Sequence, residues 1–485
     1  MSIAPTSEGF LTLLKKRNFL RLWLAQLISM TILNASNYAL LILINSTTHS
    51  TTLVGLAIIS FSLPAILFGA PAGVFVDHMN KRRVLWSSNC LRALATFVFV
   101  AVLLLKRDSS VLVPVYLLTF IISCIGQFFS PAEGSAIPML VSEQELMPAL
   151  SLFNITFMLS QALGFVLLAP ISISLLPTLT LYHVPVDSIT QLYAIVALLY
   201  LVCALLILSI PSTGFVRRDS SDHAEAVSPA LSSQTLNVFQ NVLAEMVQGW
   251  RFVRKNNALY LAVIQLSFAG VLILVIGQLA TPIVTELLHL PSNAMAFVFA
   301  PAGVGLVLGS ILMPNIARRL GKSRTIFIGS IGLTIATLLM PLCTLLARWL
   351  QPYSWNNNPL LLVVIALLMF FAGLALDFIN IPAQTAIQEM TPDWIKGRVL
   401  ALQLVLYNAC SIPIILFIGA FSDTFGTDRV LYMLAVCELA FGAWSTYYER
   451  RHPPQRQPVN ESVDEETLPR LTIDKGSNHS PEATS

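Results

Sequence analysis

Charge is scarce in this sequence. Only 11% of its 485 residues are charged, whereas 55% are hydrophobic. Soluble domains carry about 25% charged residues, so the shortage excludes an ordinary soluble protein and predicts a chain embedded in a membrane. The formal net charge of +3 is too small to suggest a nucleic-acid partner, and we predict none.

Motifs for metals, nucleotides and catalysis are also missing. The six cysteines stand singly in apolar stretches, without the spacing of metal ligands, which is typical of small buried hydrophobic residues. Gly321-Lys322-Ser323 resembles the end of a phosphate-binding loop, but Ile316 occupies the place of its first glycine. No combination of Ser, His and Asp suggests a nucleophile. We therefore predict no enzyme, no cofactor and no metal site, and expect an ion or solute gradient to supply any energy.

Long uncharged runs are abundant, and they predict membrane spans. A helix needs about 20 apolar residues to cross a bilayer. Six such stretches fall in residues 1–210 and six in residues 258–449. Span 4 is predicted to end at Ser130 and span 10 at Ile381, each just before a proline. Residues 450–485 are polar and are predicted to form a disordered cytoplasmic tail.

Residues 211–257 predict a cytoplasmic linker between the two sets of spans. Its first part is too rich in serine, proline and charge to bury a core. From Leu236 to Val253, apolar residues recur at helical spacing. This pattern predicts an amphipathic helix on the membrane surface, with a soluble helix that binds a partner as the alternative.

Two parts of the chain repeat each other. Pro131-Ala132-Glu133, after span 4, recurs as Pro382-Ala383-Gln384 after span 10. The basic loop Lys81-Arg82-Arg83, between spans 2 and 3, has a weaker copy from Arg318 to Arg324 between spans 8 and 9. Six spans, a linker and six further spans with these recurring motifs therefore suggest an internal duplication.

The loop from Gly73 to Arg83 resembles the signature loop between helices 2 and 3 of the major facilitator superfamily. The resemblance lies in the spacing of Gly73, Asp77, His78, Asn80, Lys81 and Arg82. The start of span 11, Trp394 to Val399, is similar to the same position in its drug/proton antiporter branch of macrolide-efflux and enterobactin-exporter type. The resemblance implies an all-α integral membrane fold: twelve transmembrane helices arranged as two pseudo-symmetric six-helix bundles around a shared cavity.

Basic residues predict the orientation. Most of the 28 lysines and arginines flank the predicted spans on one side of the membrane, which marks that side as cytoplasmic. We therefore expect a multi-pass protein of the plasma (cell inner) membrane with both termini in the cytoplasm.

The charged loop between spans 2 and 3 suggests a gate. Our hypothesis is that its charges and Glu133 hold the two halves together on the cytoplasmic side in one state. The gating candidates are Asp77, Lys81, Arg82, Arg83 and Glu133. The superfamily resemblance implies that Asp77 faces the start of span 11, where the helix dipole favours an anion. The alternative is a charge cluster that only anchors the topology.

Acids inside the spans are candidates for proton coupling. A charge at mid-bilayer costs at least about 2.5–3.5 kcal/mol. Asp377 in span 10 and Glu438 in span 12 are therefore expected to have a role that offsets this cost. The repeat partner of Asp377 is Gly126, which gives the acid no structural counterpart. A carboxylate facing a partly dry cavity can exchange a proton during transport. Pairing with a nearby amide or base is the alternative, and Glu438 and Arg92 also fit structural roles.

Amides within the spans are candidates for the substrate cavity. They are Asn34, Asn37, Gln127, Gln265, Gln278 and Asn380. Methionine, phenylalanine and leucine surround them, which favours an amphipathic or uncharged organic substrate. Hydrogen bonds between helices are the alternative role for such amides.

Together these features predict a monomeric transporter that works by alternating access. We expect proton-coupled efflux of a small amphipathic compound, such as a drug or a siderophore-like molecule, with protons and membrane lipids as its other partners. The alternatives are a transporter that flips lipids or lysolipids and a membrane receptor or scaffold that transports nothing.

Overall fold

The computed structural model describes residues 12–77, 79–105, 109–181, 184–212, 246–291, 294–352 and 355–452. Within these ranges the chain is almost entirely helical. A short antiparallel hairpin of β1 (Leu179–Leu181) and β2 (Val184–Val186) is the exception. Nearly all of the predicted tail lies outside the described residues.

The first half consists of six long helical stretches. They are α1 (Arg17–Thr48), α2 (Thr51–Asp77), α3 (Lys81–Leu105), α4 (Leu112–Leu140), α5 and α6 (Ser188–Leu208). Helix α5 runs over Glu143–Ala162, continues through a π-helical segment at Leu163–Leu168, and ends with Ala169–Leu175. The hairpin connects α5 to α6.

The second half contains six more. They are α7 (Asn257–Pro282), α8 (Met295–Leu320), α9 (Lys322–Leu350), α10 (Pro359–Met390), α11 (Asp393–Phe425) and α12 (Thr427–Arg451). Ten of the described helices are long and apolar enough to cross a membrane. The all-α membrane fold is thereby confirmed, whereas the number of twelve crossings and the domain boundaries stay predictions.

Polar side chains mark where several of these helices begin. Asn80 and Asp187 accept backbone N–H groups at the starts of α3 and α6, at 3.2 and 3.3 Å. At the start of α5, Glu145 accepts from the N–H of Ser142 at 3.0 Å, as the capping-box pattern predicts. These contacts satisfy N–H groups that have no partner within the helix.

Two helices run past the prolines at which we expected them to end. Helix α4 continues beyond Ser130 to Leu140, and α10 continues beyond Ile381 to Met390. The predicted ends were therefore wrong. Transmembrane helices tolerate proline because neighbouring helices and local adjustments satisfy the freed backbone groups.

The two halves repeat the same packing. In the first half α3 packs on α6 and α2 on α4, and in the second half α9 packs on α12 and α8 on α10. Between the halves, α2 packs on α11, and the π-helical segment of α5 packs on α8. Each pair has its counterpart six helices later, which is the pseudo-symmetry expected from the repeat.

Part of the predicted amphipathic helix is described, as a helix at 246–255. Val253 is fully buried, and Met246 and Trp250 pack against the hydrophobic core of the second half. Arg398 donates a 2.8 Å hydrogen bond to Gln248 of the same segment. In this stretch the apolar face is therefore covered by protein; the remainder, from Leu236, lies outside the described residues.

Candidate transport site and gate

The bundle has two ends, which we name by their residues. The Lys81 end carries the start of α1, the end of α2 and the start of α3. The Asp423 end carries the start of α2 and the end of α11. At the Asp423 end the two halves are joined by hydrogen bonds.

The carboxylate of Asp423 caps helix α2 from the other half. Its oxygens accept the backbone N–H of Thr51 at 2.6 Å and that of Thr52 at 3.1 Å. They also accept the hydroxyl of Ser50 at 2.7 Å. Below this contact, the hydroxyls of Thr51 and Ser422 lie 3.4 Å apart. An acid at the start of a helix is favourable, because the N-terminal N–H groups are unpaired and the dipole is positive there.

Gln278 of α7 lies directly beneath these residues. It is fully buried, and its Nε2 donates to the carbonyl oxygens of Thr51 (2.9 Å) and Ile415 (3.0 Å). A Cβ at Gly55 would lie 2.6 Å from this Nε2, and one at Gly419 would lie 2.6 Å from the Cα of Thr52. The two glycines therefore allow α2 and α11 to meet around the amide.

We call Ser50, Thr51, Thr52, Ser422, Asp423 and Gln278 the Asp423 joint. Among them only Gln278 was expected to matter, and it was assigned to the cavity rather than to contacts between the halves. Two signals were available in the sequence: an acid, Asp423, near the end of one apolar span, and Ser50-Thr51-Thr52 at the start of another. Each resembles an ordinary helix terminus, so neither indicated a contact with the other.

Two of the three expected gating cations bond within the first half. Arg82 donates from Nη2 to the carbonyl of Leu208 at 2.6 Å, and Lys81 donates to the carbonyl of Val76 at 2.9 Å. Cations are favoured at such helix C-termini, where carbonyls are unpaired. The side chain of Asp77 lies outside the described part of the chain.

In the described part of the chain, Glu133 forms no ion pair with Arg82 or Arg83. It is 5% exposed, and its Oε1 has no hydrogen-bond partner. Arg82 bonds elsewhere, as described, and Arg83 is exposed. A cytoplasmic gate made of these residues therefore stays a prediction about another state of the protein.

Arg92 is held inside the first half. Its Nη1 donates to the hydroxyl of Ser29 at 3.1 Å. Its guanidinium carbon lies 5.2 Å from the ring centre of Phe129 and 5.7 Å from that of Tyr200. A Cβ at Gly126 would lie 2.5 Å from Nη2, so this glycine provides the space. Cation–π contacts with a desolvated arginine contribute about 2 kcal/mol each, which favours a structural role.

Asp377 lies where α10 crosses α8. Its side chain is 6% exposed, and its Oδ2 has no hydrogen-bond partner. A Cβ at Gly309 would lie 2.8 Å from Oδ2, so the glycine makes room for the carboxylate. An unpaired buried acid inside a membrane helix is costly and marks a functional candidate.

Glu438 lies between α12 and α9. One carboxylate oxygen accepts from the hydroxyl of Thr337 at 3.3 Å, while Oε2 is buried without a partner. The two candidate acids thus occupy different helix pairs of the second half. Each has a buried oxygen without a hydrogen bond.

The predicted cavity amides do not form one group. Asn37 lines a small cavity of about 20 Å³ in the first half, together with Thr96, Ser123, Tyr193 and Tyr200. That volume holds about one water molecule. Three other amides are half-buried: Asn34, which donates to the carbonyl of Met30 at 2.9 Å, Gln127 and Asn380.

Gln265 has the structural role that was the alternative for these amides. It is 4% exposed, and its Nε2 donates to the hydroxyl of Ser445 at 2.7 Å, which links α7 to α12. We expect Gln265→Leu to lower the free energy of unfolding by about 0.6 kcal/mol, the mean for such bonds in membranes. Thermal unfolding in detergent measures this loss, and the apparent substrate affinity should not change.

Asn37→Leu is the matched comparison, because Asn37 is a candidate for the substrate cavity. We expect it to change the apparent substrate affinity. If Gln265→Leu altered that affinity and Asn37→Leu did not, the two assignments would have to be exchanged.

Comparison with known proteins supports the fold. The family model of the Major Facilitator Superfamily matches residues 22–412. Macrolide efflux protein A of Streptococcus pyogenes is 24% identical over 427 residues, or 85% of this chain and 91% of that protein. The uncharacterized MFS-type transporter YfiS of Bacillus subtilis is 22% identical over 346 residues, 71% of this chain and 72% of its own.

Solved transporters share the same architecture. The nucleoside transporter NupG superposes with a TM-score of 0.62 at 14% identity, covering 88% of this chain and 98% of that one. A bacterial homologue of the human lysosomal transporter Spinster, in an inward-facing and unoccupied conformation, gives 0.64 at 11% identity, covering 92% and 98%. At such identities the likeness establishes the fold alone. The family match over most of the chain, however, means that this protein belongs to the Major Facilitator Superfamily and is a multi-pass membrane transporter rather than an enzyme.

Proposed function

We propose that this transporter exports a small amphipathic compound in exchange for protons, by alternating access between its two halves. The observation that carries the proposal is the Asp423 joint. It ties the halves together at one end, while Lys81 and Arg82 at the other end bond within their own half. A carrier closed at one mouth is one of the two states that alternating access requires.

Export is compatible with the predicted orientation. If both termini are cytoplasmic, the Asp423 end faces outward, and the joint closes the outer mouth. In this arrangement the mouth that remains to be opened is the cytoplasmic one, from which an exporter takes up its substrate. The monomeric state remains part of the same proposal.

The substrate class rests on the chemistry of the spans and on one relative. The candidate cavity side chains are amides among apolar residues, which suit an amphipathic or uncharged molecule. The relative from Streptococcus pyogenes is named for macrolide efflux, and macrolides are amphipathic. We therefore place drug-like compounds ahead of sugars, phosphates and amino acids.

Proton coupling rests on the buried acids. Asp377 is the first candidate, because its Oδ2 is buried and unpaired, and Glu438 is the second. A carboxyl group in such a site can carry a proton without a permanent charge in the membrane. A drug/proton exchanger needs at least one such group.

Efflux measurements test the function. Everted membrane vesicles that contain the protein should accumulate macrolides or amphipathic dyes when a pH gradient is imposed. They should not accumulate sugars or amino acids. Cells that overproduce it should become less susceptible to the same drugs. Vesicles without the protein are the control. Gradient-independent movement of a fluorescent lysolipid, without drug uptake, would contradict drug efflux and identify a lipid transporter.

A further inference from the structure

The Asp423 joint has two layers with different exposure. Asp423 is exposed, while Ser50 and Thr52 are half-buried. Deeper in, Thr51, Ser422 and Gln278 are at most 3% exposed. The outer layer can therefore exchange its hydrogen bonds for water, whereas the inner layer can do so only after the helices separate.

The carboxylate of Asp423 adds to the cap that α2 receives from its own sequence. The first turn of α2 contains no acid. Ser50 accepts the N–H of Leu53 at 3.3 Å, and Asp423 satisfies the N–H groups of Thr51 and Thr52. Two of the four unpaired N–H groups at a helix start thus depend on an acid from the other half.

We propose that Asp423 is a gating residue: its carboxylate caps α2 across the two halves and sets how often this mouth of the transporter is closed. The proposal rests on alternating access, since only then must the two halves part here. When they part, the two N–H groups and Ser50 lose an acceptor that water replaces. The closed state is therefore favoured by the difference in free energy between hydrogen bonds to the carboxylate and hydrogen bonds to water.

The expected size of this bias suits a switch. Removing a capping side chain changes a helix equilibrium by about fivefold in typical cases. Such a bias shifts the balance between the states without locking the protein in one of them. Gly55 and Gly419 allow α2 and α11 to approach closely. They have no side-chain hydrogen bond that could be exchanged for one to water when the halves part.

A disulfide can report the closed state directly. The hydroxyls of Thr51 and Ser422 lie 3.4 Å apart, so Thr51→Cys with Ser422→Cys places two thiols across the joint. The six native cysteines are first replaced by serine or alanine. The rate of cross-linking with copper phenanthroline, in proteoliposomes without substrate or gradient, then measures how often the joint is closed.

We expect Asp423→Ala to slow this cross-linking by up to about fivefold, because the rate follows the closed fraction. Asp423→Asn should fall between the two, because the amide keeps one acceptor oxygen but loses the charge. The matched control is Asp428→Asn, which removes the same charge from the first turn of α12, where the residue is exposed. It should leave the rate unchanged. Size-exclusion profiles and melting curves establish that all variants are folded.

Two results would overturn the proposal. One is an equal rate in the parent, Asp423→Ala and Asp428→Asn proteins, which would make the cap irrelevant to closure. The other is a parent protein that does not cross-link at all. Because the assay uses neither substrate nor protons, a failed efflux experiment together with slower cross-linking in Asp423→Ala would refute the proposed substrate or coupling and leave the gate standing.

Discussion

Replacing Gly373 with valine is expected to prevent the second half of the protein from folding. Gly373 lies on α10, where that helix crosses α8. A Cβ at this position would overlap the carbonyl oxygen of Ala302, and a Cβ at Gly305 would overlap that of Phe370. Both obstacles are backbone atoms, which cannot move aside as a flexible side chain can. Close approach of helices through small residues is a main source of helix association in membranes.

The expected loss is large, because valine forces α8 and α10 apart along their whole contact. Overpacking one site in a rigid core costs about 1–3 kcal/mol and sometimes more, and here the same crossing also holds Asp377. We expect little or no monodisperse protein in detergent, as measured by fluorescence-detected size exclusion of a tagged chain. Gly134→Val is the control, since a Cβ at Gly134 has nothing within 4 Å. A normal profile for Gly373→Val would mean that the helices do not cross so closely.

Most of the fold was predictable because membrane helices are defined by composition. Uncharged stretches gave the helices, and the recurrence of Pro-Ala-Glu as Pro-Ala-Gln indicated the two halves. The family resemblance carried by the loop at Gly73–Arg83 is confirmed. Errors concentrated at helix ends such as Ser130 and Ile381, where proline was read as a stop although neighbouring helices support the chain beyond it.

The Asp423 joint was not predictable in the same way. Asp423 and Thr51 are 372 residues apart in sequence, and no local pattern links them. A hydropathy pattern finds a span but gives little indication of which face of a uniformly apolar helix turns inward. Gln278 illustrates the consequence: its position in α7 was expected to be near the cavity, while its side chain actually bonds to α2 and α11.

The two halves differ in their buried charges, and this difference bears on proton coupling. The acids of the second half, Asp377 and Glu438, occupy helices whose counterparts α4 and α6 hold Gly126 and Tyr200 around the cation Arg92. The first half thus surrounds a fixed positive charge with glycine and aromatic rings, and among its described residues it buries one acid, Glu133. The second half buries acids with unpaired oxygens and no cation at hydrogen-bond distance among the described residues. On the proposal that protons drive transport, the second half is where we expect them to bind.

Asp377→Asn is therefore expected to abolish efflux driven by a pH gradient. The amide has nearly the shape of the acid, so it still fits against Gly309, but it cannot gain or lose a proton. Substrate binding and exchange of substrate across the membrane without a gradient should continue, because neither requires the carboxyl group to change its charge. Everted vesicles measure the two activities separately: drug uptake after acidification of the lumen, and exchange of labelled for unlabelled drug at uniform pH.

The matched control is Glu389→Gln on the same helix. Glu389 is an exposed acid paired with Lys322, and exposed pairs contribute about 0–1 kcal/mol, so both activities should survive. Glu438→Gln tests the second candidate by the same two measurements. If Asp377→Asn kept its gradient-driven uptake, the acid at the α8–α10 crossing would be structural. If Asp377→Asn and Glu438→Gln both kept it, proton coupling through the second half would be refuted, because the described helices there bury no further acid in the bundle.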